Sequence, residues 1–287
     1  MSETILYTVI SLCSVGILAA VVLFFVAQKF KVFEDPRIDD VDENLPGANC
    51  GGCGFPGCRQ FAEAFVKNED VSDMYCPVGG NDVMTTIANL LGKTASAQKP
   101  MVAVVKCNGD CDARPKTNNY DGAHNCTVAS SLYGGDTDCS YGCLGLGECV
   151  DACNFGAMYM GDNGLPVVIT DKCTACNACV DVCPKDIMEL RPRNKKDLKV
   201  YVACVNKDKG AIAKKACDNA CIGCSKCVKE CPHDAIEVSN SLAYIDGDKC
   251  KLCRKCVSVC PTNAIIETNF PPRKVKEEKT ADESEKA

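Results

Sequence analysis

The chain has 287 residues, enough for two or more small domains, and 26 of them are cysteine against two histidines (His124 and His233) and no tryptophan. That content points to a disulfide scaffold or a metal protein, and a chain this long with tight C-x-x-C repeats fits metal ligation better than a short secreted scaffold. A formal net charge of −6 argues against nucleic acid as a partner.

From Thr4 to Ala27, TILYTVISLCSVGILAAVVLFFVA carries no charged residue. As a helix rising ~1.5 Å per residue it can cross a ~30 Å hydrocarbon core. Glu3 precedes it, and Lys29 and Lys31 follow. A signal peptide has its basic residues in front and a shorter apolar core. Residues 1–30 are therefore expected to be an uncleaved single-pass anchor in the inner (cytoplasmic) membrane. The trailing lysines put the C-terminal bulk in the cytoplasm. Cys13 reads as a small apolar residue on this helix. The span offers no ionisable group for an ion pathway, so ions are expected to cross through other subunits.

Residues 31–45 read as a polar linker, and 46–92 as an N-terminal [4Fe–4S] domain. Its cysteines, Cys50, Cys53, Cys58 and Cys76, are spaced C-x2-C-x4-C-x17-C and followed by Pro77. Glycines let the backbone fold tightly around sulfur. A structural zinc held by four thiolates is the alternative. RQFAEAFV predicts a short amphipathic helix with Phe61, Ala64 and Phe65 inward. Gly52, Gly54 and Gly57 match G-x-G-x-x-G formally, but no strand precedes them, so the dinucleotide reading is set aside.

Gly92 to Pro100 reads as a linker, and residues 93–135 form a connecting region with Cys107, Cys111 and Cys126. Beyond it, three runs match the bacterial pattern C-x2-C-x2-C-x3-C-P: Cys173, Cys176, Cys179, Cys183; then Cys221, Cys224, Cys227, Cys231; then Cys250, Cys253, Cys256, Cys260. In that pattern three cysteines wrap one cluster and the fourth crosses to its neighbour. The runs repeat: the set from Cys173 recurs 77 residues later, and Cys139, Cys143, Cys149 and Cys153 recur 78 residues later at Cys217, Cys221, Cys227 and Cys231. Two ferredoxin-like modules are predicted, at 136–200 and 201–268.

The first run of the first module is degenerate. Leu146 stands where the repeat has Cys224, and Asn154 where Pro is usual. Cys143, Cys149 and the crossing Cys183 leave one ligand missing, and Cys139 is the nearest spare thiol. Cys107, Cys111, Cys126, Cys204 and Cys217 remain. VAVVKC and VYVAC read as short strands running into Cys107 and Cys204. Cys107, Cys126, Cys204 and Cys217 are expected to hold one more cluster, with Cys111 as a possible substitute. Free thiols or a zinc site are the alternative for these five. The total is six [4Fe–4S] clusters.

Between Lys185 and Lys215 stand ten Lys or Arg and four Asp or Glu. Lys195, Lys196, Lys199, Lys214 and Lys215 are candidates for docking an acidic electron carrier; a plain solvated loop is the alternative. The charged residues at 269–287 read as a disordered tail. The fold class is α+β: one transmembrane helix, an N-terminal [4Fe–4S] domain and two bacterial ferredoxin-like modules.

The order of anchor, C-x2-C-x4-C-x17-C domain and paired modules resembles the B subunits of the Rnf complexes, in their longer clostridial or acetogen form. NCGGCGFPGC, GCLGLGECVDAC and the C-x2-C-x2-C-x3-C-P runs carry the resemblance, which covers nearly the whole chain. It implies an electron-transfer subunit of an ion-translocating ferredoxin:NAD+ oxidoreductase. Its partners would be soluble ferredoxin, other membrane subunits and membrane lipid, with NAD bound elsewhere. The rivals are the iron–sulfur subunit of another membrane oxidoreductase, a reductase of an iron–sulfur regulator, and a zinc scaffold.

Overall fold

A computed structural model describes residues 2–29, 35–132, 134–194 and 196–272. Lys195 and residues 273–287, most of the expected tail, lie outside the described residues. Helix α1 (Ser2–Lys29) contains a stretch, Leu6–Lys29, long and apolar enough to cross a membrane, with none of it buried.

Three helices build the N-terminal unit: α2 (Arg37–Asn44), α3 (Cys58–Lys67) and α4 (Gly80–Leu90). They bury Ile38, Val41, Phe61, Phe65, Met84 and Ile87 together. Residues 37–44 fall within the expected linker. Their polar sequence RIDDVDEN conceals an apolar pair, Ile38 and Val41, which lies three residues apart on one helix face and packs into the core. Phe61 and Phe65 are inward as expected, but Ala64 is only half-buried and Ala62 takes the buried place. The Lys93 ammonium donates to the carbonyls of Phe65 (2.5 Å), Val66 (3.0 Å) and Asn68 (2.7 Å), capping the end of α3.

Next come β1 (Met101–Val105), α5 (Cys126–Leu132), α6 (Glu148–Asp151), β2 (Met158–Met160), β3 (Pro166–Val168), α7 (Ala178–Asp181) and β4 (Met188–Pro192). Strand β1 pairs antiparallel with β4, Val105 opposite Met188, and β2 with β3. The plan then repeats with β5 (Lys199–Val202), α8 (Gly210–Ala216), α9 (Lys226–Glu230), β6 (Ile236–Ser239), β7 (Leu242–Ile245), α10 (Lys255–Ser258) and β8 (Ile265–Thr268). Here β5 pairs with β8 and β6 with β7, both antiparallel. The first module therefore opens at β1, inside the expected connecting region, because its outer strand needs a partner for its backbone groups. Residues 106–136 lie between β1 and the first cysteine run.

The modules are joined face to face. Val104 of β1 packs against Tyr201, Ala203 and Ile266. Buried Arg191 of β4 donates to the Ile245 carbonyl at 2.7 Å and pairs with Glu189 at 3.1 Å. Glu189 also accepts from Lys106 (2.9 Å) and from the Tyr244 hydroxyl (3.0 Å).

Candidate metal centres

Each ferredoxin-type loop has the same backbone. In the three intact runs the residues before and after the second cysteine have positive φ: Ala175 and Asn177, Gly223 and Ser225, Leu252 and Arg254. The degenerate run keeps this pattern at Gly145 (φ 72°) and Gly147 (φ 83°). Leu146 between them occupies the place of the second cysteine. The loop survives and only the thiol is lost.

A pocket lies at each of the three intact loops. The first is lined by Cys221, Cys224, Cys227 and Cys260, the second by Cys153, Cys173, Cys176 and Cys179, the third by Cys231, Cys250, Cys253 and Cys256. Each thus takes three thiols from one run and the crossing thiol from the other. Among the described residues, no three His, Cys, Asp or Glu side chains converge at single-ion distance. A zinc site with ~2.3 Å sulfur bonds does not fit these thiols, and a four-iron cubane does. Backbone N–H groups of Ala157, Ile187 and Ala243 donate to the sulfurs of Cys153, Cys183 and Cys221 at 3.4–3.5 Å. Such bonds set cluster potentials.

Burial, then neighbouring thiols, pushes Cys179 and Cys256 up to about 12, so the bare chain holds neutral thiols. Ligation releases those protons. In the N-terminal unit, burial raises the Cys76 thiol, and Cys53 and Cys58 beside it add to the effect. Gly79 N–H donates to the Cys76 sulfur at 3.4 Å. Cys50 opens the same loop, half-buried.

Cys149 is pushed up to about 11 by burial and then by the thiols of Cys183 and Cys126. Cys126 therefore lies near Cys149. Cys143 is pushed up to about 12 by burial and then by Cys107. Burial raises Cys217, with Cys107 and Cys139 as its thiol neighbours, and pushes Cys204 up to about 12, with Cys221 and Cys107 nearby. Cys139 is buried and accepts from Asn206 at 3.5 Å. Cys111 is exposed and its thiol donates to the Asn163 carbonyl at the β2–β3 turn.

A family model for an Fe-S cluster matches residues 45–78, and 4Fe-4S dicluster domain models match 137–188 and 220–264. The chain is 45% identical over 236 residues to the B subunit of the Na(+)-translocating ferredoxin:NAD(+) oxidoreductase complex of Acetobacterium woodii, covering 82% of this chain and 70% of that one. It is 44% identical over 248 residues to the B subunit of the proton-translocating ferredoxin:NAD(+) oxidoreductase complex of Clostridium ljungdahlii, covering 86% of each. It is 42% identical over 250 residues to the B subunit of the ion-translocating oxidoreductase complex of Methanosarcina acetivorans, covering 87% of this chain and 93% of that one. The chain belongs to the family of Rnf B subunits. It is an iron–sulfur electron-transfer subunit with [4Fe–4S] ferredoxin domains.

In this Rnf-type subunit four of the five expected docking lysines, Lys196, Lys199, Lys214 and Lys215, are among the described residues. Lys199 is buried, paired with Asp197 at 2.8 Å, and is withdrawn from the dock. Lys196 is exposed ahead of β5, and Lys214 and Lys215 are exposed in the last turn of α8. Lys214 also pairs with Asp218 at 2.7 Å. Three residues escaped sequence reading: Glu148, Asn206 and Arg114. Each acts on cysteine loops distant in sequence, and no local motif marks them.

Proposed function

We propose that this chain relays electrons from reduced ferredoxin to other membrane subunits of a translocase-type ferredoxin:NAD+ oxidoreductase, holding six [4Fe–4S] clusters with 24 of its cysteines. The observation that carries this reading is the crossing thiol in each of the three cavities, which puts neighbouring sets back to back. A cluster bound in such a set supplies one-electron exchange. The chain itself would hold the thiolates and aims N–H groups at sulfur. Helix α1 anchors it in the cytoplasmic membrane, with the modules on the cytoplasmic side where Lys29 and Lys31 remain. NAD and the translocated ion belong to partner subunits.

Two exposed cluster ligands, Cys224 and Cys253, suit an entry point. Lys251 and Lys255 are exposed on either side of Cys253, Lys249 and Arg254 there being paired with Asp246 and Glu267, and exposed Lys226 follows Cys224. An acidic carrier such as ferredoxin complements this face. Rapid anaerobic mixing of the full chain with reduced ferredoxin tests the reading. Bleaching of the cluster absorbance, slowed by salt and by Lys251→Glu with Lys255→Glu, is expected. No electron transfer from ferredoxin, with transfer to an iron–sulfur regulator instead, would favour the reductase alternative.

A further inference from the structure

We infer that two ligands are exchanged relative to their spacing: Cys126 completes the set of Cys143, Cys149 and Cys183, while Cys139 joins Cys107, Cys204 and Cys217. The inference rests on the iron–sulfur reading above and assigns the chain's own thiols within it.

Glu148 brings Cys126 to its place. This carboxylate immediately precedes Cys149. Its Oε1 accepts from Asn125 Nδ2 at 2.5 Å, and its Oε2 accepts from the Thr127 N–H at 2.9 Å and the Thr127 hydroxyl at 3.1 Å. Both neighbours of Cys126 are thus tied to the residue beside Cys149. Asn125 Oδ1 also accepts the Val128 N–H at 2.8 Å, capping the start of α5, which opens with Cys126. The degenerate loop keeps its backbone at Gly145 and Gly147 but presents Leu146, so the fourth thiol must arrive from outside the loop. Helix α5 delivers it.

Cys139 is held elsewhere. Asn206 is 1% exposed, and its Nδ2 donates to the Cys139 sulfur at 3.5 Å. Asn206 stands two residues beyond Cys204. The Asn108 N–H donates to the Ala203 carbonyl at 3.0 Å, and Asn219 Nδ2 donates to the Asn108 carbonyl at 2.8 Å. These bonds gather the residues next to Cys107, Cys204 and Cys217. A β-carbon on Gly109 would lie 3.0 Å from the Cys217 sulfur, so the loop after Cys107 runs directly over it. This set draws Cys107 and Cys139 from the first module and Cys204 and Cys217 from the second. It is a centre shared between modules rather than an accessory of either.

Paired serine variants of the full chain, reconstituted anaerobically, read the partition through iron and sulfide content and the electron paramagnetic resonance of the reduced protein. Two ligands of one cluster lose together what each loses alone; ligands of two clusters lose twice as much. C126S/C149S and C139S/C217S are expected to lose one cluster each, and C126S/C217S and C139S/C149S two. The reverse pattern, with one cluster lost in C139S/C149S and two in C126S/C149S, overturns the inference. If serine variants shed all their iron, anomalous iron scattering from the unmodified protein decides. Iron shared by Cys126 and Cys149 upholds the exchange; iron shared by Cys139 and Cys149 overturns it. A wild-type protein with fewer than six clusters would instead contradict the functional reading, a separate outcome.

Discussion

A β-carbon on Gly52 would lie 2.6 Å from the carbonyl oxygen of Cys176 and 3.0 Å from its Cα. Gly52 does not have the positive φ of Gly51 (73°) or Gly54 (84°), so its own turn does not demand glycine. The approach of Cys176 does. Here the loop of the N-terminal thiol set meets the loop of Cys173, Cys176 and Cys179, backbone to backbone.

Gly52→Val is therefore expected to part the N-terminal unit from the first module without removing a ligand. Iron content should stay at the wild-type value, while reduction of the N-terminal centre by a donor acting on the second module should lose its fast phase. Freeze-quenched paramagnetic resonance reads each centre in time. A wild-type rate in the variant would show that Gly52 has no part in the junction.

Arg114 lies between the two exchanged sets. Its guanidinium donates to the Cys143 carbonyl at 2.6 Å, its Nε is buried without a protein partner, and its charge acts on both Cys143 and Cys217. A cation beside a cluster favours its reduced, more negative form. Arg114→Leu should lower the potentials of these two centres by on the order of 60 mV, a tenfold change in a one-electron equilibrium. A redox titration followed by paramagnetic resonance measures this; unchanged potentials would rule the role out.

Arg191 fastens the modules to one another. Arg191→Met removes the donor to Ile245 and leaves Glu189 with Lys106 and Tyr244. A destabilisation of about 3 kcal/mol is expected, at the low end for breaking a buried pair because Glu189 keeps those partners. Denaturant unfolding of the cluster-loaded chain gives the value, and a change within about 0.5 kcal/mol, as at an ordinary surface site, would contradict it.

Tyr201 supplies a pH dependence. Burial pushes its phenol from 10.0 up to about 12, with Arg191 nearby pulling the other way. The folded state holds the proton longer than the unfolded chain. The resulting stability is fully present below pH 10 and is lost as pH rises through about 12. Relative to wild type, Tyr201→Phe should flatten the alkaline loss of stability. Parallel curves for the two proteins across that window would refute the assignment.

The intact cluster loops were legible in the sequence because three ligands of each lie on one short loop, and the crossing cysteine keeps a fixed spacing and its proline. The 78-residue repeat also located the lost thiol at Leu146. Less legible was whatever depends on contacts between distant segments. Cys139 is near Cys143 in sequence, but the chain turns it toward Asn206, while Glu148 draws in Cys126 by binding Asn125, 23 residues upstream of it. Helix α2 was hidden because two apolar residues suffice once α3 and α4 cover them. The basic stretch looked uniformly exposed in sequence, yet Lys199 is buried and paired with Asp197.

Iron and acid-labile sulfide per chain, counted on anaerobically purified protein, test the central claim most directly. Six four-thiol sets predict about 24 of each. A count of about 16 would leave the two centres that share the 106–139 segment empty, and the six-centre account would be wrong.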